Sequence, residues 1–172
     1  MILAIDPGNE ESAFVLLENN LSVNDKGKVG NKELLDIMYD YLSEDLEKHE
    51  IKIAIEMVAS YGMAVGREVF DTCVWIGRFF QHADRFGYTP TFIYRKDEKM
   101  DLCHSMKAND STITQALVDR FAYGVRNHGK GTKKEKGWFY GFKKDIWQAY
   151  AVGVTYFDKY LVTENANEIY NK

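Results

Sequence analysis

Three acidic residues stand where a carboxylate could do chemistry: Asp6, Glu56 and Asp145. Asp6 closes a short apolar run that begins at Ile2 and is followed by Pro7 and Gly8. Glu56 closes a β-branched run that begins at Ile51, and Asp145 opens an apolar stretch with helical spacing. If the first two runs are parallel neighbouring strands, Asp6 and Glu56 lie side by side at their carboxyl ends, where open α/β sheets bind ligands. A third carboxylate from a helix start would complete a set of hard oxygen donors of the kind magnesium selects. Grouped carboxylates raise one another's pKa unless a cation neutralises them. Two ions about 4 Å apart in such a site activate a water and steady the leaving oxygen in phosphodiester cleavage. Taken singly, each acid also has a plain structural role as turn opener, exposed strand end or helix N-cap.

Bringing these acids together requires a particular order of elements. Residues 2–6, 12–18 and 21–29 are short extended runs separated by turn residues, which predicts a three-stranded antiparallel meander. Over 31–48, Leu34, Ile37, Met38, Tyr41, Leu42 and Leu46 recur at helical spacing opposite an acidic face, predicting a helix capped by Asn31. Residues 51–56 then return as a strand parallel to the first. A helix over 67–86 carries two apolar stripes, one of Val69, Cys73, Ile76 and Phe80, the other of Trp75, Phe79 and Phe86. Such a helix must be covered twice, by its own sheet and by something else, with a partner subunit the candidate. A fifth strand over 89–94 is followed by a charged stretch and a helix over 111–125 started by Asn109 and Asp110. A Gly- and Lys-rich loop over 124–144, a last helix over 145–161 and a polar tail over 163–172 complete the chain. The expectation is one α/β domain over 1–162 with a five-stranded mixed sheet, the meander first and the parallel strands after it, flanked by helices.

The run from Ile2 through Asp6 to Gly8, the run from Ile53 to Glu56 and the stretch from Asp145 to Thr155 resemble the three acidic motifs of the RuvC family of Holliday-junction resolvases in order, spacing and context. Residues 60–66, 70–78 and 129–134 look most like the bacteriophage branch of that family, and the resemblance runs from Ile2 to about Tyr160. It implies a ribonuclease H-like fold and a homodimer, here through the helix over 67–86. The implied activity is paired nicking of four-way DNA junctions that depends on magnesium, with manganese as a substitute and two ions per site. On this resemblance Asp6, Glu56 and Asp145 are catalytic carboxylates and metal ligands. Gln148 stands where the family's final helix carries a second acid one turn on; its amide can donate an oxygen but brings no charge. Ala59 stands where bacterial members carry a stacking aromatic. Tyr61 is the nearest substitute, and loss of that wedge would loosen discrimination between four-way junctions and simpler forks.

The formal net charge of −4 speaks weakly against a nucleic-acid partner, but the distribution of charge says more. Arg126, Lys130, Lys133, Lys134, Lys136, Lys143 and Lys144 run up to Asp145, with glycines at 129, 131 and 137 and with Trp138, Phe139 and Tyr140 interleaved. This pattern suits phosphate contact and base stacking, with a solvated lysine loop as the plain alternative. Arg95, Lys96, Lys99 and Lys107 form a second, weaker basic group, in which Lys107 suits a scissile-phosphate contact and a catalytic role. Cys73 and Cys103 form no CxxC pair, which argues against a zinc or dithiol motif. Without an export signal or an apolar stretch long enough to span a bilayer, the expectation is a cytoplasmic protein off the membrane, in a phage-infected bacterial host by the resemblance. The rival functions are a ribonuclease H-like nuclease with a non-junction substrate and a non-catalytic DNA-binding module.

Overall fold

Alternation along the first strand builds two cores at once. In the computed structural model, which describes all residues but 49, 61, 63 and 163–172, β1 (Ile2–Asp6) sends Ile2 and Ala4 into one apolar cluster and Leu3 and Ile5 into another. This is the period-two rule applied to a strand covered on both faces. β2 (Glu11–Leu17) and β3 (Val23–Gly30) follow antiparallel and form the meander. β4 (Lys52–Met57) pairs parallel with the other edge of β1, and β5 (Thr91–Tyr94) pairs parallel with β4. The order β3-β2-β1-β4-β5 is the expected five-stranded mixed α/β sheet with β1 in the middle.

One face is covered by α1 (Asn31–Glu44) and α2 (Arg67–Asp84), which bury Leu34, Met38 and Leu42 and Ile76, Phe79 and Ala83 respectively. The other is covered by α4 (Asp110–Phe121) and α5 (Lys144–Tyr156), contributing Ile113, Leu117, Ala149, Tyr150 and Val152 among others. α5 lies close to the sheet because Gly153 has no side chain; a Cβ there would sit 2.6 Å from Leu17 Cδ1 and 3.1 Å from Ala4 Cβ. The chain continues past α5 as a π-helical segment, Phe157–Val162.

Several local expectations are corrected. Asn31 does not cap α1 but is its first residue, with its side chain buried. That helix ends at Glu44 because Asp45 turns inward to accept hydrogen bonds from the Ile51 N–H and the Tyr88 hydroxyl, each at 2.8 Å. On α2 the core stripe is Thr72, Ile76, Phe79 and Ala83, drawn across both expected stripes. The apolar residues left outward are Phe70 and Val74, each 60% exposed. The charged stretch after β5 is a helix, α3 (Arg95–Cys103), which buries only Glu98 and so has no apolar period to read. Its start is fixed instead by the Asp97 carboxylate accepting the Tyr94 N–H at 3.1 Å.

Candidate active site

Strand register brings two of the three acids together. β1 and β4 pair through Ile5 and Ile55, so Asp6 and Glu56 are neighbours one residue further on. Alternation places both on the face of Ala4 and Ala54, the face that α5 covers. The turn after Asp6 is pinned from below. A Cβ at Gly8 would lie 2.3 Å from the Glu11 carbonyl oxygen, so only glycine fits. The Gly8 N–H donates to Ser12 Oγ at 3.1 Å, the Ser12 hydroxyl donates to Asn31 Oδ1 at 2.6 Å, and Asn31 Nδ2 donates back to the Gly8 carbonyl at 2.9 Å. Ser12 and Asn31 therefore set the direction in which β1 ends.

Asp6 and Glu56 share a side-chain hydrogen bond. Burial pushes the Asp6 carboxyl up to about 9, helped by the Glu56 charge and hydrogen bond and by Asp145, and opposed by Arg95. Burial also raises Glu56, against the hydrogen bond from Asp6 and the charge of Arg95. At neutral pH Asp6 thus keeps a proton that it would lose in water, as crowded and desolvated carboxylates do when no cation separates them.

Two cations, one half-buried and one exposed, flank this group of acids. Arg95, at the start of α3, donates to Glu98 at 2.5 Å and to Asp110. Glu98 is completely buried, its pKa pushed well up by burial and by Glu56, and its Oε1 has no hydrogen-bond partner. On the other side Lys28 of β3 lies 2.7 Å from Asp145 and 3.3 Å from Glu11. Asp145 is the second residue of α5 rather than its N-cap, which is Lys143. Sequence reasoning missed Lys28, Glu98 and Asp110 and placed Arg95 only in a weak basic group. The one local signal was the i, i+3 spacing of Arg95 and Glu98.

Among the described residues no three His, Cys, Asp or Glu side chains converge on a point able to hold a metal ion. Two crowded carboxylates whose pKa values burial raises nevertheless suit a hard divalent cation. Gln148, one turn along α5 from Asp145, adds an amide oxygen that is buried without a hydrogen-bond partner. These carboxylates and the amide oxygen are the donor types a hard divalent ion takes, with Asp145 held by Lys28 in this structure.

Lys130, Lys143 and Lys144 line a cleft of about 450 Å³ together with Asp145 and Gln148. Arg126, Lys133, Lys134 and Lys136 are exposed along the loop, which is closed by a bridge between Gly131 and Lys136. The interleaved aromatics are not a free stacking surface. Phe139 is completely buried, and Trp138 stacks on Phe121 at 5.2 Å and donates to the Tyr150 hydroxyl at 2.9 Å. Tyr140 lies under the Lys136 ammonium, 5.3 Å from its ring centre. Lys107 is exposed in the turn after α3 and is not among the residues lining the cleft. Tyr61 and the tail over 163–172 lie outside the described residues.

With this geometry the chain is similar to two solved structures of RuvC from Thermus thermophilus. One is in complex with a Holliday junction substrate, with a TM-score of 0.60, 14% identity and 90% of both chains covered. The other has a TM-score of 0.59 and 15% identity, with 90% of this chain and 92% of that chain covered. The chain therefore has the ribonuclease H-like α/β fold of RuvC. No protein-family model matches it, and no curated protein matches it.

Proposed function

We propose that the protein is a metal-dependent, structure-selective endonuclease that resolves four-way DNA junctions, and other branched DNA, by paired phosphodiester cleavage. The observation that carries this reading is the half-buried pair of Asp6 and Glu56 at adjacent strand ends, on the face that α5 covers. The RuvC-like fold over 90% of the chain supports it. Asp6, Glu56, Asp145 and Gln148 would hold magnesium or manganese, which when bound supplies charge neutralisation and an activated water. Lys107 would contact the scissile phosphate, and Arg126, Lys130, Lys133, Lys134, Lys136, Lys143 and Lys144 the flanking backbone. Tyr61 would face the branch point.

A homodimer through α2 belongs to the same reading. Phe70 and Val74 are each 60% exposed on that helix, and a two-fold would place two sites on two symmetric strands. The resemblance to the bacteriophage branch points to the cytoplasm of an infected bacterium. No described helix is long and apolar enough to cross a membrane. A second reading, a branched-DNA-binding module without cleavage, is favoured by one observation: Lys28 occupies Asp145. The deciding experiment is magnesium-dependent nicking of labelled four-way junction, Y-fork, linear duplex and RNA/DNA hybrid, with Asp6→Asn as control. Symmetric cuts in the four-way junction that the variant lacks are expected. Tight binding of branched DNA with no metal-dependent cut on any substrate would establish the second reading instead.

A further inference from the structure

The cleft beside Asp145 does not end at the catalytic face. Its lining includes Gln115 of α4 and His128, and the same two residues line a second hollow of about 450 Å³ that also carries Tyr123 and Val125. The two hollows therefore adjoin along one side of α4, between that helix and the loop that precedes α5.

The charges along this path are unequal in their commitments. Asp145 is paired with Lys28, Asp110 with Arg95, and Asp119 accepts a hydrogen bond from Gln115 at 2.8 Å. Lys130, Lys143 and Lys144 make no ion pair among the described residues, so the path offers three uncommitted ammonium groups; Asp145 and Asp110 are paired with cations, and Asp119 alone keeps its charge, held by the neutral Gln115 amide. At the far end Tyr123 is 83% exposed, more than any other large apolar residue described. It makes no ring contact or hydrogen bond through its side chain among the described residues. Its backbone is nevertheless ordered: Ala122 is buried, Gly124 takes a φ of +72°, and the Val125 N–H donates to the Ala122 carbonyl at 3.0 Å. An aromatic ring left bare on a fixed turn, in the hollow that adjoins a cleft lined by three lysines, is what an unpaired base requires. A base inside a duplex is already stacked on its neighbours and could use only the lysines.

We infer that this path binds a single unpaired DNA strand next to the branch point, its phosphates on Lys130, Lys143 and Lys144 and one base stacked on Tyr123. The inference rests on the proposed branched-DNA substrate but not on cleavage. Removing a stacking platform of this kind costs about tenfold in affinity. Each lysine that contacts single-strand phosphate adds about 0.7 to the slope of log affinity against log salt.

The test uses metal-free buffer, so that no strand is cut. A Y-fork and a linear duplex carrying 2-aminopurine at successive positions are titrated with the wild-type chain and with Tyr123→Ala, Tyr123→Phe and Lys144→Ala. The expected result is quenching at one or two unpaired positions of the fork, lost in Tyr123→Ala and kept in Tyr123→Phe. Tyr123→Ala should bind the fork about tenfold more weakly with duplex binding unchanged, and Lys144→Ala should lower the salt slope. Equal fork binding and equal quenching by Tyr123→Ala would overturn the inference, since a residue this exposed can be replaced without unfolding the chain. So would an equal loss of duplex binding. A protein that never nicks DNA yet shows the Tyr123-dependent quenching keeps this site and loses the nuclease reading. A protein that resolves junctions while Tyr123→Ala behaves as wild type keeps the nuclease reading and loses this site.

Discussion

Replacing Asp6 with asparagine should separate function from stability in opposite directions. In the unfolded chain an aspartate titrates near 3.9, whereas burial and Glu56 push the folded Asp6 up to about 9. Between those limits the folded protein holds a proton that the unfolded chain has released. The stability tied to that proton is fully present below the unfolded pKa and is lost as the pH rises through the folded one. The loss is at most about 1.4 kcal/mol per pH unit for one group, or about 2.7 kcal/mol from pH 5 to pH 7. For a chain of 172 residues that is a shift in Tm of about 5–10 °C. Asparagine keeps the shape and can still donate to Glu56, but it has no proton to lose. Melting curves in metal-free buffer at pH 5, 6, 7 and 8 should therefore diverge, the variant gaining on the wild type as the pH rises, while magnesium-dependent nicking disappears. Other carboxyls contribute to both curves, so the difference isolates Asp6. Parallel Tm profiles for the two proteins would refute the account of a proton kept on Asp6 and the electrostatic strain assigned to the site.

Three further perturbations probe the surrounding charges and packing. Lys28→Met should release Asp145 and lower the magnesium concentration for half-maximal nicking several-fold. Because the pair is partly exposed, its stability should change by less than about 1 kcal/mol, as melting will show. Arg95→Met leaves Glu98 in the core without its partner and should cost about 3–5 kcal/mol; adding Glu98→Leu should recover most of that loss in urea titration. Gly153→Ala drives a methyl to 2.6 Å from Leu17 and should cost about 1–3 kcal/mol. Most of that range exceeds the roughly 1 kcal/mol alanine gains in helix propensity, so a lowered Tm is the expected outcome.

The parts of this site that the sequence made legible are those governed by short-range periodicity. Ile2 to Asp6 and Ile51 to Glu56 are apolar runs ending in an acid, and the parallel pairing that a crossover helix imposes is enough to set Asp6 beside Glu56. Asp145 was legible because α5 is apolar nearly all round and begins abruptly after a run of lysines. The aromatic interleaving of the loop misled for a related reason. Trp138 and Phe139 look like a polar loop's stacking residues in one dimension, whereas the loop folds back and buries them against Phe121 and Tyr150.

What escaped was the charge balance, and it escaped because it is made between elements that no local pattern connects. At one end of the sheet Asp6 feels Glu56 and Asp145, Glu56 feels Asp110, and Glu98 feels Glu56 and Asp6. Low-dielectric surroundings make such a group costly to fold unless cations are built in. The chain supplies them from opposite flanks: Lys28 reaches Asp145 from β3 at one edge, and Arg95 reaches Glu98 and Asp110 from the helix after β5 at the other edge. Only the Arg95–Glu98 pair has a local spacing to read, i, i+3 on one helix; Lys28 with Asp145 and Arg95 with Asp110 are brought together by the fold. Burial is the main reason that Asp6 still keeps a proton, and the charge arrangement adds to it. The two cations answer the outer acids, and the central pair is left with less positive charge than its two carboxylates require. On the proposed metal-dependent reading a divalent ion would supply that deficit, so the stability of the metal-free fold and its affinity for the ion would turn on the same two residues.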